Sequence, residues 1–128
     1  MRLWRWIYFC CCITYDKIKN VLIEKFRFID RGENMFVIDV KYKTNLEIVD
    51  QYLAEHRTWL DGKYQEGLLL CSGPKNPRDG GLIIALGHDK AEVEALVRED
   101  PFYINNIAEH SITEFNPVKY HEKIKGLV

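Results

Sequence analysis

The chain has no surplus of positive charge: 18 Lys and Arg stand against 19 Asp and Glu, a net of -1. Nucleic-acid binders usually carry a basic face that displaces counterions from phosphates, so no nucleic-acid partner is expected. Spaced cysteines are missing as well. Three of the four, Cys10, Cys11 and Cys12, are consecutive, and adjacent thiols build neither a disulfide framework nor a zinc knuckle. Cys71 stands alone in a strand-like run and is expected to be a buried free thiol. This usage fits a reducing cytoplasm. The uninterrupted apolar run Ile7–Ile13 falls far short of the ~20 residues that span a bilayer. His88, His110 and His121, with Asp89 and Glu109 nearby, match no HExxH or CxxC spacing, so no metal is expected. Gly80-Gly81 lacks the Lys-Ser/Thr of a phosphate loop and reads as a turn. No cofactor is expected.

The remainder is an ordinary globular composition, 47% hydrophobic and 29% charged, in a length that suits one domain. Charge is unevenly spread. Residues 1–34 hold 7 Lys and Arg against 4 Asp and Glu, whereas residues 35–128 hold 11 against 15, a net of -4. The basic, apolar start resembles the opening of a signal peptide, but no small-x-small cleavage site follows. Trp4, Trp6 and Tyr8 would suit a membrane interface. Arg31-Gly32-Glu33-Asn34 can be encoded by purine-rich codons resembling a bacterial ribosome-binding site, placed just before Met35. Residues 1–34 are therefore expected to be a translated leader or a misassigned start, with Met35 as the true start; the alternative is a genuine extension. Residues 35–128 are the expected domain, for which no membrane contact is expected.

Within that domain Phe36–Tyr42 reads as a strand rich in β-formers. Thr44-x-x-Glu47 has the form of a capping box. It leads into a helix whose stripe carries Leu46, Val49, Leu53, His56 and Leu60, with Gly67 as its stop. Leu68–Ser72 is a second strand closed by Gly73-Pro74, residues 76–81 form a loop, and Leu82–Leu86 is a third strand. Asp89 and Glu92 start a second helix with Val93, Leu96 and Val97 on its apolar side, ended by Asp100-Pro101. Phe102–Ile107 is a connector, Glu109–Phe115 a fourth strand, and Pro117 opens a tail.

The order βαββαβ predicts a ferredoxin-like α+β fold, a four-stranded antiparallel sheet with two helices on one face. Two helices cover one face only, and a solvated second face would give strict alternation. Leu68-Leu69-Leu70, Leu82–Leu86 and Phe36-Val37-Ile38 are continuous instead. Both faces are therefore expected to be buried, the second by a homodimer partner through the sheet face; the N-terminal extension is the alternative cover.

Four features in sequence order resemble the YCII-related (YciI-like) family. They are His56-Arg57-x-x-Leu60 on the first helix, Ser72-Gly73-Pro74 at a strand end, Gly80-Gly81 before strand three, and Asp100-Pro101-Phe102. The resemblance covers about residues 35–117. It implies a dimeric α+β barrel on the ferredoxin-like plan and an active pair formed by His56 and Asp100. Its links are to small-molecule lyase or isomerase chemistry. The chain departs from the family pattern in a short loop at 75–80 and in a strand around His110 with a weak apolar pattern.

His56, on the apolar stripe, faces the sheet, and a histidine there can exchange a proton near neutral pH. A neighbouring carboxylate such as Asp100 would favour the imidazolium and fix its tautomer. The Ser72-Gly73 turn offers a hydroxyl or backbone N–H groups to an oxyanion. Together these suit elimination or isomerisation of a small organic acid or cyclic substrate. The competing readings are a core histidine bonded to a backbone carbonyl and an aspartate serving only the turn before Pro101. On those readings the protein is a noncatalytic ligand-binding or interaction module on the same scaffold. Tyr42, Tyr64, Phe102 and Tyr103 read as core or interface aromatics.

Overall fold

The computed structural model describes residues 34–126. The expectation for residues 1–34 falls, apart from Asn34, outside them. The elements run β1 (Asn34–Tyr42), α1 (Leu46–Gln65), β2 (Leu69–Pro74), β3 (Gly80–Gly87), α2 (Lys90–Arg98), a single turn α3 (Pro101–Ile104) and β4 (Ala108–Phe115). A short 3-10 turn, Glu122–Ile124, follows in the tail.

The helices begin where side chains can satisfy the free amides of a first turn. Asn45, not Thr44, caps α1: its side chain accepts from the Ile48 N–H at 3.1 Å. Thr44 is one residue too early, and its hydroxyl is buried without a partner among the described residues. Asp89 caps α2 by accepting from Glu92 N–H at 2.9 Å, and Glu92 reaches back to His88 N–H at 2.8 Å. Past the end of α1, Gly67 sits at φ 74°, a left-handed conformation that glycine adopts without a side-chain clash. Lys63 near the end of α1 joins Glu99 beside α2 at 2.6 Å.

The strands form one antiparallel sheet in the order β2-β3-β1-β4, with β1 and β3 central. This is the ferredoxin-like arrangement expected from the sequence. The backbones approach closely at Gly80, where a Cβ would lie 1.9 Å from the Val40 carbonyl oxygen. Only glycine fits there, which explains one half of the Gly80-Gly81 pair.

One core joins the sheet to the helices. Phe36, Ile38 and Val40 of β1 and Ile83 and Ala85 of β3 pack with Val49 of α1, Val93, Leu96 and Val97 of α2, and Phe102 of α3. The expected α1 stripe is only partly a core stripe. Val49 and His56 are buried and Leu46 is exposed, while Leu53 and Leu60 pack from the margin, because a cavity lies beneath them.

The opposite face is mixed. Met35 and Leu86 pair across β1 and β3 and are buried, although they lie outside the helix-side core. Val37 and Ile84 are half-buried, and Leu82 is exposed. Asp39 and Lys41 on β1 and Glu109, Ser111 and Thr113 on β4 make most of the rest polar, apart from the exposed Phe115 opposite Met35. The expected uniformly apolar second face is thus only partly apolar, chiefly along β3 and its β1 partners. Cys71 is exposed, not buried: it lies on the edge strand β2 and pairs with Ile84, on the side turned away from the helices.

Candidate active site

Helix α1 and the turn before α3 bring His56 and Asp100 together from positions 44 residues apart. His56 Nδ1 lies 2.7 Å from Asp100 Oδ1. Asp100 is fully buried and also caps α3, where its Oδ1 accepts from Phe102 N–H at 2.9 Å. Pro101 supplies the first residue of that turn, a position where its missing N–H does no harm. The turn-residue role of Asp100 and its pairing with His56 are therefore the same structural fact.

The second oxygen is occupied too. His110 Nε2 lies 2.9 Å from Asp100 Oδ2, and the His110 side chain is 1% exposed. Burial alone would push the Asp100 carboxyl upward, but the His110 and His56 bonds, the His56 charge and the Phe102 amide together hold it below its ordinary value. The group is thus an anion that accepts only, so both ring nitrogens facing it carry hydrogens. His56 in its neutral form then has its lone pair on Nε2, which makes no hydrogen bond among the described residues.

The His56 ring is further held by stacking on Phe102, with centroids 4.1 Å apart and planes 6° apart, and Trp59 lies at 5.7 Å. Its exposed margin lines a cavity of about 480 Å³ between α1 and the ends of β2 and β3. The walls are mainly apolar, with Val40, Leu53, Leu60, Ile83 and Phe102 among them. Asp100 does not reach this cavity; it stands behind His56.

Ser72 and Gly73 both line the cavity. The Ser72 hydroxyl accepts from Tyr64 at 2.7 Å. Sequence reasoning assigned no role to Arg57 and Arg78, which also line the cavity; Arg78 is paired with Asp50. Arg57 follows His56 directly, and that adjacency was the available signal. His110 was considered only as a metal ligand. Among the described residues no group of three or more His, Cys, Asp or Glu side chains is disposed to hold a metal ion.

Residues 35–116 match the YCII-related domain. The chain belongs to the YCII-related domain family. The match spans the whole sheet and both long helices, and it contains His56, Asp100, Ser72, Gly73 and His110. No curated protein sequence matches the chain. Among solved structures, the YCII-related domain is similar to 5-chloro-2-hydroxyhydroquinone dehydrochlorinase (TftG) from Burkholderia phenoliruptrix AC1100, solved in complex with 2,5-dihydroxybenzoquinone. The TM-score is 0.57 at 18% identity, covering 70% of this chain and 97% of that one. At that identity the likeness shows a shared fold. No helix among the described residues is long and apolar enough to cross a membrane.

Proposed function

We propose that the protein is a cofactor-independent small-molecule lyase or isomerase in which His56 transfers a proton and Asp100 orients and stabilises it. The observation that carries this reading is the 2.7 Å contact between His56 Nδ1 and a buried anionic carboxylate, made by a ring whose other edge borders a cavity. A carboxylate behind the ring fixes the tautomer with Nε2 free to accept a proton, and it stabilises the imidazolium once the proton has arrived. On the return step the same Nε2–H protonates the leaving group or the isomerised carbon. Charge that develops on substrate oxygen would meet Arg57, Arg78 and the Ser72-Gly73 segment at the cavity wall. The dehydrochlorinase with the similar fold is named for an elimination on a hydroxylated ring, and a cavity with apolar walls and cationic groups suits a small cyclic organic acid.

The domain is further proposed to work as a homodimer through its sheet face, with Val37, Leu82 and Ile84 at the contact. Residues 1–34 are proposed to lie outside the working domain of 35–128. Mass spectrometry of the natural protein tests that assignment; peptides from residues 17–34 would overturn it.

The stacking of His56 on Phe102 favours a second reading, in which the histidine is packed and the cavity only binds a ligand. A thermal-shift screen of small cyclic acids, followed by turnover assays on whatever binds, separates the two, since ligands that bind only the native state raise its apparent stability. The His56→Ala protein should fold, still bind, and lose about 100-fold or more in turnover, the range that proton-transfer groups supply. Undiminished turnover in that variant would leave only the binding module.

A further inference from the structure

Asp100 is a single carboxylate serving two imidazoles. One of them, His56, borders the large cavity. The other, His110, comes from β4. Its place follows from the two-residue period of a strand: Ala108, His110 and Ile112 share the face turned toward the helices, and His110 pairs with the buried Val40 of β1. Its Nε2 meets Asp100 Oδ2 at 2.9 Å. Its Nδ1 is buried and has no partner among the described residues. Polar atoms so placed are uncommon, and each calls for a reason.

His110 also borders a second cleft, of about 340 Å³, that shares no lining residue with the first. The groups facing it there are Lys90, Glu94 and Arg98 of α2 and Tyr103 of α3, whose ring meets the His110 ring edge-on at 5.8 Å. The lining of that cleft is thus charged where that of the first is mainly apolar.

We propose that His110 is a positioning residue of the His56 site, pinning the Asp100 carboxylate in the orientation that serves His56 and dividing its negative charge between the two rings. The proposal rests on the proton-transfer reading only for its effect on turnover; the coupling itself is a matter of geometry and charge. With both oxygens held, the carboxylate cannot rotate away when His56 changes protonation state. A hydrogen bond donated by His110 draws charge from the carboxylate, so less remains to stabilise an imidazolium at His56. Should His110 itself take a proton, the buried anion is already compensated, and a second positive ring around it is disfavoured. Lys90, Glu94, Arg98 and Tyr103 in the second cleft bear on His110 and, through Asp100, on His56.

The test is the NMR titration of the His56 ring in the full-length protein, which needs no substrate. His110→Phe and His110→Asn both remove the donor to Asp100, the first by chemistry and the second because its amide is too short. His110→Gln keeps an amide N–H near the position of Nε2 but cannot become a cation. The Phe and Asn proteins should show the His56 midpoint about one pH unit higher, the size that a lost charge-assisted hydrogen bond gives. Gln should bring it back more than half way.

A midpoint unmoved in the Phe and Asn proteins would overturn the proposal, as would Gln shifting it as far as Phe. Should the Phe protein not fold, the Asn protein decides. Should neither fold while Gln does, His110 is only a structural bond to Asp100 and the proposal falls. Failure of this coupling would leave the proton-transfer reading intact. Undiminished turnover in the His56→Ala protein would end that reading and leave the coupling standing.

Discussion

Replacing Asp100 with alanine should destabilise the domain several-fold more than replacing it with asparagine. The carboxylate is fully buried and accepts from three donors, Phe102 N–H, His56 Nδ1 and His110 Nε2. Alanine leaves all three without a partner. The lost cap is worth about 1 kcal/mol, and each of the two stranded ring donors about 1–3 kcal/mol, for a total of roughly 3–7 kcal/mol. A domain of this size is stable by only about 5–15 kcal/mol, so the alanine protein should be marginal. Asparagine behaves differently. The Phe102 amide requires an acceptor at the Oδ1 position, which sets the side-chain carbonyl there and keeps the cap and the His56 bond. The amide nitrogen then faces His110, which must move its hydrogen to Nδ1. The loss should be about 1–2 kcal/mol, the bonds kept but each made to a neutral amide in place of an anion. Urea unfolding followed by circular dichroism gives both numbers from the midpoints and slopes. Equal losses for the two variants, or an alanine protein within about 1 kcal/mol of the parent, would show that the hydrogen-bond accounting around Asp100 is wrong.

Acid stability follows from the same group. The Asp100 carboxyl is held below its ordinary value in the folded protein, so between that depressed value and about pH 4 the unfolded chain binds more protons. The contribution of Asp100 is therefore complete above about pH 5 and lost as pH falls through the folded value; urea midpoints from pH 5 to 3 should fall less steeply in Asp100→Asn, and parallel curves would refute it. Gly80→Ala would push a Cβ to 1.9 Å from the Val40 oxygen, so the strands must separate locally and the domain should lose on the order of 2 kcal/mol or more by urea unfolding. A near-neutral result would mean that the β1–β3 approach is looser than described. Leu82→Glu and Ile84→Lys on the sheet face should leave the fold intact by circular dichroism and shift a homodimer toward monomer in sedimentation at micromolar concentration. A parent protein already monomeric at that concentration would rule out the sheet-face pair.

The order of elements was legible because each junction carries a chemical signature: Gly67 after α1, Asp89 before α2, and Asp100-Pro101 where one helix stops and a turn begins. His56 was legible as an inward residue because it falls on the same helical stripe as Val49. The cap of α1 was not, since Thr44 and Asn45 are both competent and only the chain's path selects between them. The exposure of Cys71 depends on β2 lying at an edge, a fact of sheet order that no local pattern encodes. His110 was missed although its signal was present: Ala108, His110 and Ile112 alternate as an inward set, but Glu109, Ser111 and Thr113 make the strand look polar throughout. The pairing of His110 with Asp100 depends on residues ten apart meeting across a turn. Arg57 and Arg78 look like ordinary surface cations until the cavity between α1 and the sheet is seen.

Phe102 grips both members of the pair at once, its ring lying flat on His56 and its amide tied to Asp100. Anyone reshaping the cavity for a larger guest would find Phe102 an obvious wall to trim. A smaller side chain there keeps the amide and so keeps the acid, while freeing the imidazole to tilt. The backbone half of this clamp is indifferent to which amino acid stands at 102, proline apart, and the aromatic half is not. Variants at this one position would therefore vary the mobility of the base against an unchanged partner, a separation that substitutions at His56 or Asp100 themselves cannot achieve.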